Sequence, residues 1–251
     1  MSKAIEESKK DTDDTIAPEN MTTFLKQYVL TPIDEGLYSV FKVASAVGLG
    51  HMLTKLTWRS SVGIIKQVLK NFFNLKIEGH EHIPRNKPAI ICSRSSAGVY
   101  PFLAWIAVSD STERILYQAF DGDFFTISGI RTWLYYLDSF SILDGFIDAH
   151  TEDFIHKKLA DGELIGLTLE NSKKDDNETK IVPSKQMIEI AKKNNVPIVP
   201  IATPNIDEII NIKEMKMSLN QKVVIKIHER IDVSSGSVDE IYKKLEKIIK
   251  M

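Results

Sequence analysis

Polar side chains capable of chemistry cluster just after a short apolar segment. Pro88-Ala89-Ile90-Ile91-Cys92 is followed by Ser93, Arg94, Ser95, Ser96, Ala97, Gly98, Val99, Tyr100 and Pro101. Arg94 carries a planar guanidinium fork that suits a phosphate or a carboxylate. Ser95 or Ser96 could act as a nucleophile only with a base beside it, and nothing in the sequence identifies a partner histidine. His80 and His82, in the turn Glu78-Gly79-His80-Glu81-His82-Ile83-Pro84, are spaced i, i+2. No cysteine or carboxylate set accompanies them at metal-ligand spacing. The strand after them, rising ~3.3 Å per residue, carries them to the opposite end of a sheet from Ser95. They read as surface histidines, and no metal or cofactor is expected. His150, His156 and His228 stand alone and read as solvated or partly packed.

Composition sets the frame for these groups. The 251 residues can build one large domain with a helical appendage. A net charge of −2 gives no field that would draw nucleic acid. The single cysteine, Cys92, lies inside an apolar strand and cannot form an internal disulfide, which favours a reducing compartment. It reads as a structural thiol, because burial raises a thiol pKa. Phosphate-loop, dinucleotide-binding and Gly-x-Ser-x-Gly patterns are absent.

The elements that must hold the cluster follow from periodicity. Residues 1–20 are polar, without a secretory core, and read as a disordered tail. Residues 21–74 show helical spacing, with stripes at Phe24, Leu25, Tyr28, Val29 and at Ile64, Ile65, Val68, Leu69, Phe72, Phe73, so two or three helices are expected. The run Leu37–Leu53 contains Lys42 and His51 and falls short of the ~20 residues of a bilayer span. Residues 75–251 alternate strands with helices. Strands are expected at Leu75–Ile77, Ala89–Cys92, Arg114–Ala119, Phe140–Leu143, Leu164–Leu169, Ile198–Ala202 and Val223–Ile227. Helices are expected at Pro101–Ser109, Phe124–Leu137, Ala149–Ala160, Ser184–Lys193 and Val238–Ile249, with Lys173–Lys180 a polar surface loop. This is an α/β pattern: a mixed, mostly parallel sheet flanked by helices, with an N-terminal helical segment.

In wording and order, Ile77–Pro101 resembles the opening of the glycerolipid acyltransferase domain, the family of 1-acylglycerol-3-phosphate acyltransferases. In that family Asn-His-x4-Asp-Pro follows a strand like Pro88–Ser93. Here Ser95 stands at the His position and Tyr100 at the Asp position. The second family block ends in Asp-Arg; here Leu137–Gly145 offers Asp144 followed by Gly145. The third, Phe-Pro-Glu-Gly-Thr-Arg, reads Thr168-Leu169-Glu170-Asn171-Ser172-Lys173, which keeps Glu170 and replaces Thr and Arg with Ser172 and Lys173. The fourth, Val196-Pro197-Ile198-Val199-Pro200-Ile201-Ala202, matches throughout. The resemblance spans Leu75–Lys250, about seventy per cent of the chain.

The resemblance implies Ser95 and Tyr100 as the degenerate catalytic positions, and Arg94, Glu170, Ser172 and Lys173 as substrate-binding positions. Acyl transfer needs a base for the attacking hydroxyl, typically worth ~10²–10⁴-fold. Ser95 is a poor proton acceptor and Tyr100 supplies no carboxylate. The expectation is therefore a catalytically degenerate acyltransferase-like protein that binds a phospholipid or lysophospholipid, cytoplasmic and peripheral on the inner membrane face. Trp58, Phe72 and Phe73 with Lys55, Arg59, Lys66 and Lys70 fit an interfacial helix for that contact. An active enzyme, taking its acyl group from acyl-CoA or acyl-carrier protein, would need a different base. A protein-interaction module without a lipid role would instead bury its N-terminal apolar surface against a second chain.

Overall fold

The computed structural model describes residues 31 to 250 except 97, 143–146, 176–177, 184, 205 and 212–215, with the backbone alone at 31–34, 170–175, 178–183, 211, 216 and 217. Two helices, α1 (Thr31–Ala46) and α2 (Gly50–Phe72), lead into β1 (Asn74–Glu78) and β2 (Ala89–Ser95). Then come α3 (Tyr100–Ser111), β3 (Leu116–Asp121), α4 (Ile130–Tyr136), β4 (Phe140–Ile142), α5 (Ala149–Ala160), β5 (Leu164–Asp175) and β6 (Glu178–Pro183). The chain continues with α6 (Gln186–Asn194), β7 (Ile198–Ala202), α7 (Ile206–Ile209), β8 (Ile210–Asn211), β9 (Lys216–Met217), β10 (Lys222–Ile227) and α8 (Val238–Ile249). The stripe Phe24–Val29, the tail at 1–20, and Asp144 with Gly145 lie outside the described residues.

The main sheet has the order β1-β10-β7-β2-β5-β3-β4, with β6 paired to β5. Its centre, β7-β2-β5-β3-β4, is parallel. β10 runs antiparallel to β7, and β1 is parallel to β10. The sheet is thus mixed and mostly parallel, with helices on both faces. Ala89–Cys92 of β2 and the whole of β7 are apolar, fully buried runs because helices cover them on both sides.

Ring contacts fix the two faces. Phe120 of β3 meets Trp105 of α3 at 5.0 Å, whereas its neighbour on the strand, Tyr117, meets Phe154 of α5 at 6.4 Å. Side chains alternate along a strand, so Leu116, Gln118 and Phe120 face α3. The register places Gly166 beside Gln118 and Ile91, Thr168 beside Ser93, and Glu170 beside Ser95, all on that same face. Cys92 and Arg94 alternate with them and lie on the other face.

Local chemistry explains the helix ends. Pro101 opens α3, where its missing N–H costs nothing. Apolar on nearly all sides, α3 is buried between the sheet and α2. Ser237 and Glu240 form a reciprocal capping box on α8, and Asp148 caps α5 through the Thr151 amide at 2.7 Å. Trp133 of α4 donates its indole N–H to Ser61 of α2 at 2.7 Å.

Several sequence expectations need correction. The helix expected over Phe124–Leu137 is a 3-10 turn at Gly122–Thr126 and a separate α4, split at Gly129, whose φ of 84° no helix accommodates. The expected loop Lys173–Lys180 is largely strand: Lys173–Asp175 close β5 and Glu178–Lys180 open β6, and the two pair antiparallel through backbone bonds that polar side chains do not disclose. β3 lies two residues later than expected. Trp58 and Phe73, assigned to an interfacial face, are 1% and 4% exposed and pack in the core. Only alternate members of that stripe face outward: Ile64, Val68 and Phe72 are exposed, and Ile65 and Leu69 pack inward.

Candidate active site

β2 does not end at Cys92. It runs on to Ser95, so Arg94 and Ser95 are the last residues of a central strand, projecting to opposite faces. Ser95 lies at the carboxyl edge of the sheet, level with Glu170 of β5. The loop to α3 is tied down where the Asp121 amide donates to the Ser96 carbonyl at 3.0 Å. Ser172 and Lys173 lie farther along β5, in register with Ile181 and Lys180 of β6, beyond the strand's pairing with β2.

Behind Ser95, on the face toward α3, runs a buried polar row. Ser93, Thr168 and Gln118 are 3%, 2% and 0% exposed. The Gln118 amide N–H₂ donates to the Ala119 carbonyl at 3.0 Å, and its side-chain carbonyl lies over Gly166. A Cβ at position 166 would come within 2.0 Å of that oxygen. The Ser93 hydroxyl and the Gln118 oxygen have no hydrogen-bond partner among the described residues. Such atoms are costly to bury, and they make the core behind Ser95 polar.

Tyr100 is engaged elsewhere. Its hydroxyl donates to Asp207 at 2.7 Å, and Arg94 donates to the same carboxylate at 3.0 Å and to the Tyr100 oxygen at 3.3 Å. Burial, then the bond to Asp207, push the phenol well above its ordinary pKa. It stays protonated at neutral pH, a donor rather than a base. Asp207 comes from α7, just after β7, 107 residues away in sequence. The three side chains border a cavity of about 180 Å³ with Thr203, Glu208 and Lys250. Asp207 and Glu208 stand there with Arg94 and Lys250, so the lining carries charges of both signs.

The structure brings together Ser95 with Glu170, and Tyr100 with Arg94. It does not bring Ser95 into a dyad with Tyr100, whose hydroxyl is committed to Asp207. Sequence reasoning missed Asp207. The available signal was Asp207-Glu208 directly after the matching strand Val196–Ala202, at the edge where β2 also ends. Cys92 is fully buried, which pushes its thiol pKa far upward and leaves it a packing group. His80 bonds Ser111 at 3.1 Å, at the end of α3 away from Tyr100. His156 is not isolated: it lies between Glu152 at 3.1 Å and Asn194 at 3.0 Å, joining α5 to α6. No group of histidine, cysteine and carboxylate residues that could hold a metal occurs among the described residues.

No family model and no curated protein matches the sequence. Among solved structures, the chain matches the crystal structure of the 1-acyl-sn-glycerophosphate (LPA) acyltransferase, PlsC, from Thermotoga maritima. The TM-score is 0.59 and the identity 18%, with 87% of this chain and 94% of that chain covered. At such identity the likeness is one of fold. The chain has a PlsC-like acyltransferase fold, as the order of its sequence blocks implies.

Proposed function

We propose that this chain is a glycerolipid acyltransferase-like protein with a degenerate catalytic centre, binding lipid or acyl groups at a membrane surface. One observation supports the reading: on a PlsC-like fold, Tyr100, which the sequence resemblance sets at the motif's carboxylate position, donates its hydroxyl hydrogen bond to Asp207. A dyad needs a carboxylate that orients and stabilises an imidazolium. Here Ser95 supplies no imidazole, and Tyr100 faces Asp207 and Arg94 instead.

Membrane contact draws support from the N-terminal helices. Leu37, Val40 and Val43 of α1 are exposed, as are Met52, Leu56, Ile64, Val68 and Phe72 of α2, which follow an i, i+4 row. Exposed Lys42, Lys55 and Lys70 lie on the same two helices. Aliphatic rows with interspersed cations suit the headgroup boundary. No described helix is long and apolar enough to cross a membrane. The ligand we assign is a phospholipid or lysophospholipid, met on the cytoplasmic side. Arg94, Glu170, Ser172 and Lys173 are the residues proposed to meet it.

A second reading, an active acyltransferase fed by acyl-CoA or acyl-carrier protein, has one observation in its favour: Glu170 lies in register with Ser95. As base, its carboxylate would take the lysophospholipid hydroxyl proton. The freed oxygen would attack the thioester carbonyl, and the thiolate would leave and be protonated.

Vesicle flotation followed by native mass spectrometry tests the binding reading. The expected result is co-flotation with anionic vesicles, reduced when Leu56, Ile64 and Val68 are changed to Ser, and a lipid mass retained on the released protein. A protein that neither floats nor retains lipid, or that buries these helices in a stable dimer, would overturn it.

A further inference from the structure

We infer that a second cavity, enclosed by α1, the turn after α4, and α5, binds an apolar carboxylate. It measures about 310 Å³ and lies at the β4 edge of the sheet, with β3 and β5 between it and β2. α1 contributes Tyr38, Phe41, Lys42 and Ser45, spaced i, i+3, i+4, i+7 as one helix face.

Two aromatic pairs make the walls. Tyr38 packs on Tyr135 at 4.8 Å, and Phe140 on Phe154 at 5.6 Å. These rings suit a hydrocarbon body. The polar groups decide its head. Ser139 lines the cavity, is 6% exposed, and its hydroxyl has no partner among the described residues. A buried donor in that state is costly, and a ligand oxygen would satisfy it. The one carboxylate in the lining, Asp138, is already paired with Lys158 at 2.9 Å. Lys42, with its ammonium 5.2 Å from the Tyr38 ring centre, then leaves the lining positive. A cationic ligand would meet Lys42; an anion meets Lys42 and the Ser139 hydroxyl. The outer side of α1, with Leu37, Val40 and Val43 exposed, lies beside the cavity and would deliver an amphiphile to it.

The test is calorimetric titration of the full chain with decanoate below its micelle concentration, with decyltrimethylammonium and decanol as matched probes. Decanoate is expected to bind saturably at one site and more tightly than either matched probe. Nuclear Overhauser contacts are expected from its methylenes to the rings of Tyr135 and Phe154. Ser139→Ala should weaken binding about fivefold, and the exposed change Lys42→Glu, which cannot unfold the core, about threefold or more. Arg94→Ala should leave it unchanged, so failure here and failure of the lipid-binding role at the β2 edge are distinguishable. Binding of decyltrimethylammonium as tight as that of decanoate would overturn the assignment. So would non-saturating uptake indifferent to both Ser139→Ala and Lys42→Glu.

Discussion

Two arginines stand at opposite ends of the sheet, and they are held in different ways. Arg114, at the amino end, donates to the carbonyls of Pro84 at 3.0 Å and Lys87 at 2.6 Å, and also to that of Gly162. It thereby ties together the loops that enter β2, β3 and β5. Its side chain is 16% exposed. Arg94, at the carboxyl edge, meets the side chains of Asp207 and Tyr100 and is 36% exposed. Backbone acceptors do not depend on which side chains their residues carry, so the Arg114 end suits a fixed frame. The Arg94 end depends on three side chains, so it can change while the fold persists. That difference separates an end held by backbone acceptors from an end held by side chains within one molecule.

The comparison can be broken experimentally, beginning where the largest effect is expected. Arg114→Ala leaves the carbonyls of Pro84, Lys87 and Gly162 without this donor and should cost about 2 kcal/mol, read as a lower urea midpoint. Arg114→Lys should recover only part of this, because a point donor cannot serve three acceptors. At the other end, Tyr100→Phe removes one charge-assisted bond and should cost about 1 kcal/mol in the same measurement. Arg94→Ala breaks a half-exposed ion pair and should cost well under about 1 kcal/mol, less still at high salt. Equal losses at Arg114 and Arg94 would remove the distinction.

Alkaline pH sharpens the picture further. The Tyr100 phenol has a raised pKa in the folded protein, and burial does the same to Tyr117. Above about pH 10 the unfolded chain releases these protons while the folded one keeps them, so stability falls. It is fully present below that pH. Thermal melts should show a flat midpoint from neutral pH to about pH 9 and a decline beyond it. The decline should be shallower in Tyr100→Phe, with Tyr117 supplying the remainder.

Much of the fold was legible because burial writes itself into sequence. Ile198–Ala202, Ala149–Ala160 and Val238–Ile249 occur where apolar runs and capping residues place them. The hairpin of β5 and β6 was not legible, since Lys173–Lys180 is polar and its pairing belongs to the backbone. The helix expected over Phe124–Leu137 is broken by Gly129, whose positive φ the periodicity does not reveal. Trp58 and Phe73 resembled anchors because helical spacing alone cannot say which of two apolar faces meets the sheet. At the site, the resemblance set Ser95 and Tyr100 at the motif's His and Asp positions. Asp207 was not, because only tertiary structure brings a residue 107 positions away to Tyr100. It also changes what a repair requires: Tyr100→Asp would place a carboxylate against that of Asp207. Restoring the motif with Ser95→His should therefore need Asp207→Asn as well.

The most direct measurement of the central claim is acyl transfer by the pure protein on vesicles containing lysophosphatidic acid, with labelled acyl-CoA as donor. The account predicts no product above the protein-free background from the unmodified chain, and measurable product from the triple variant Ser95→His, Tyr100→Asp, Asp207→Asn. Sustained turnover by the unmodified chain that is lost in Glu170→Gln would contradict it, and would make Glu170 the base of a working enzyme.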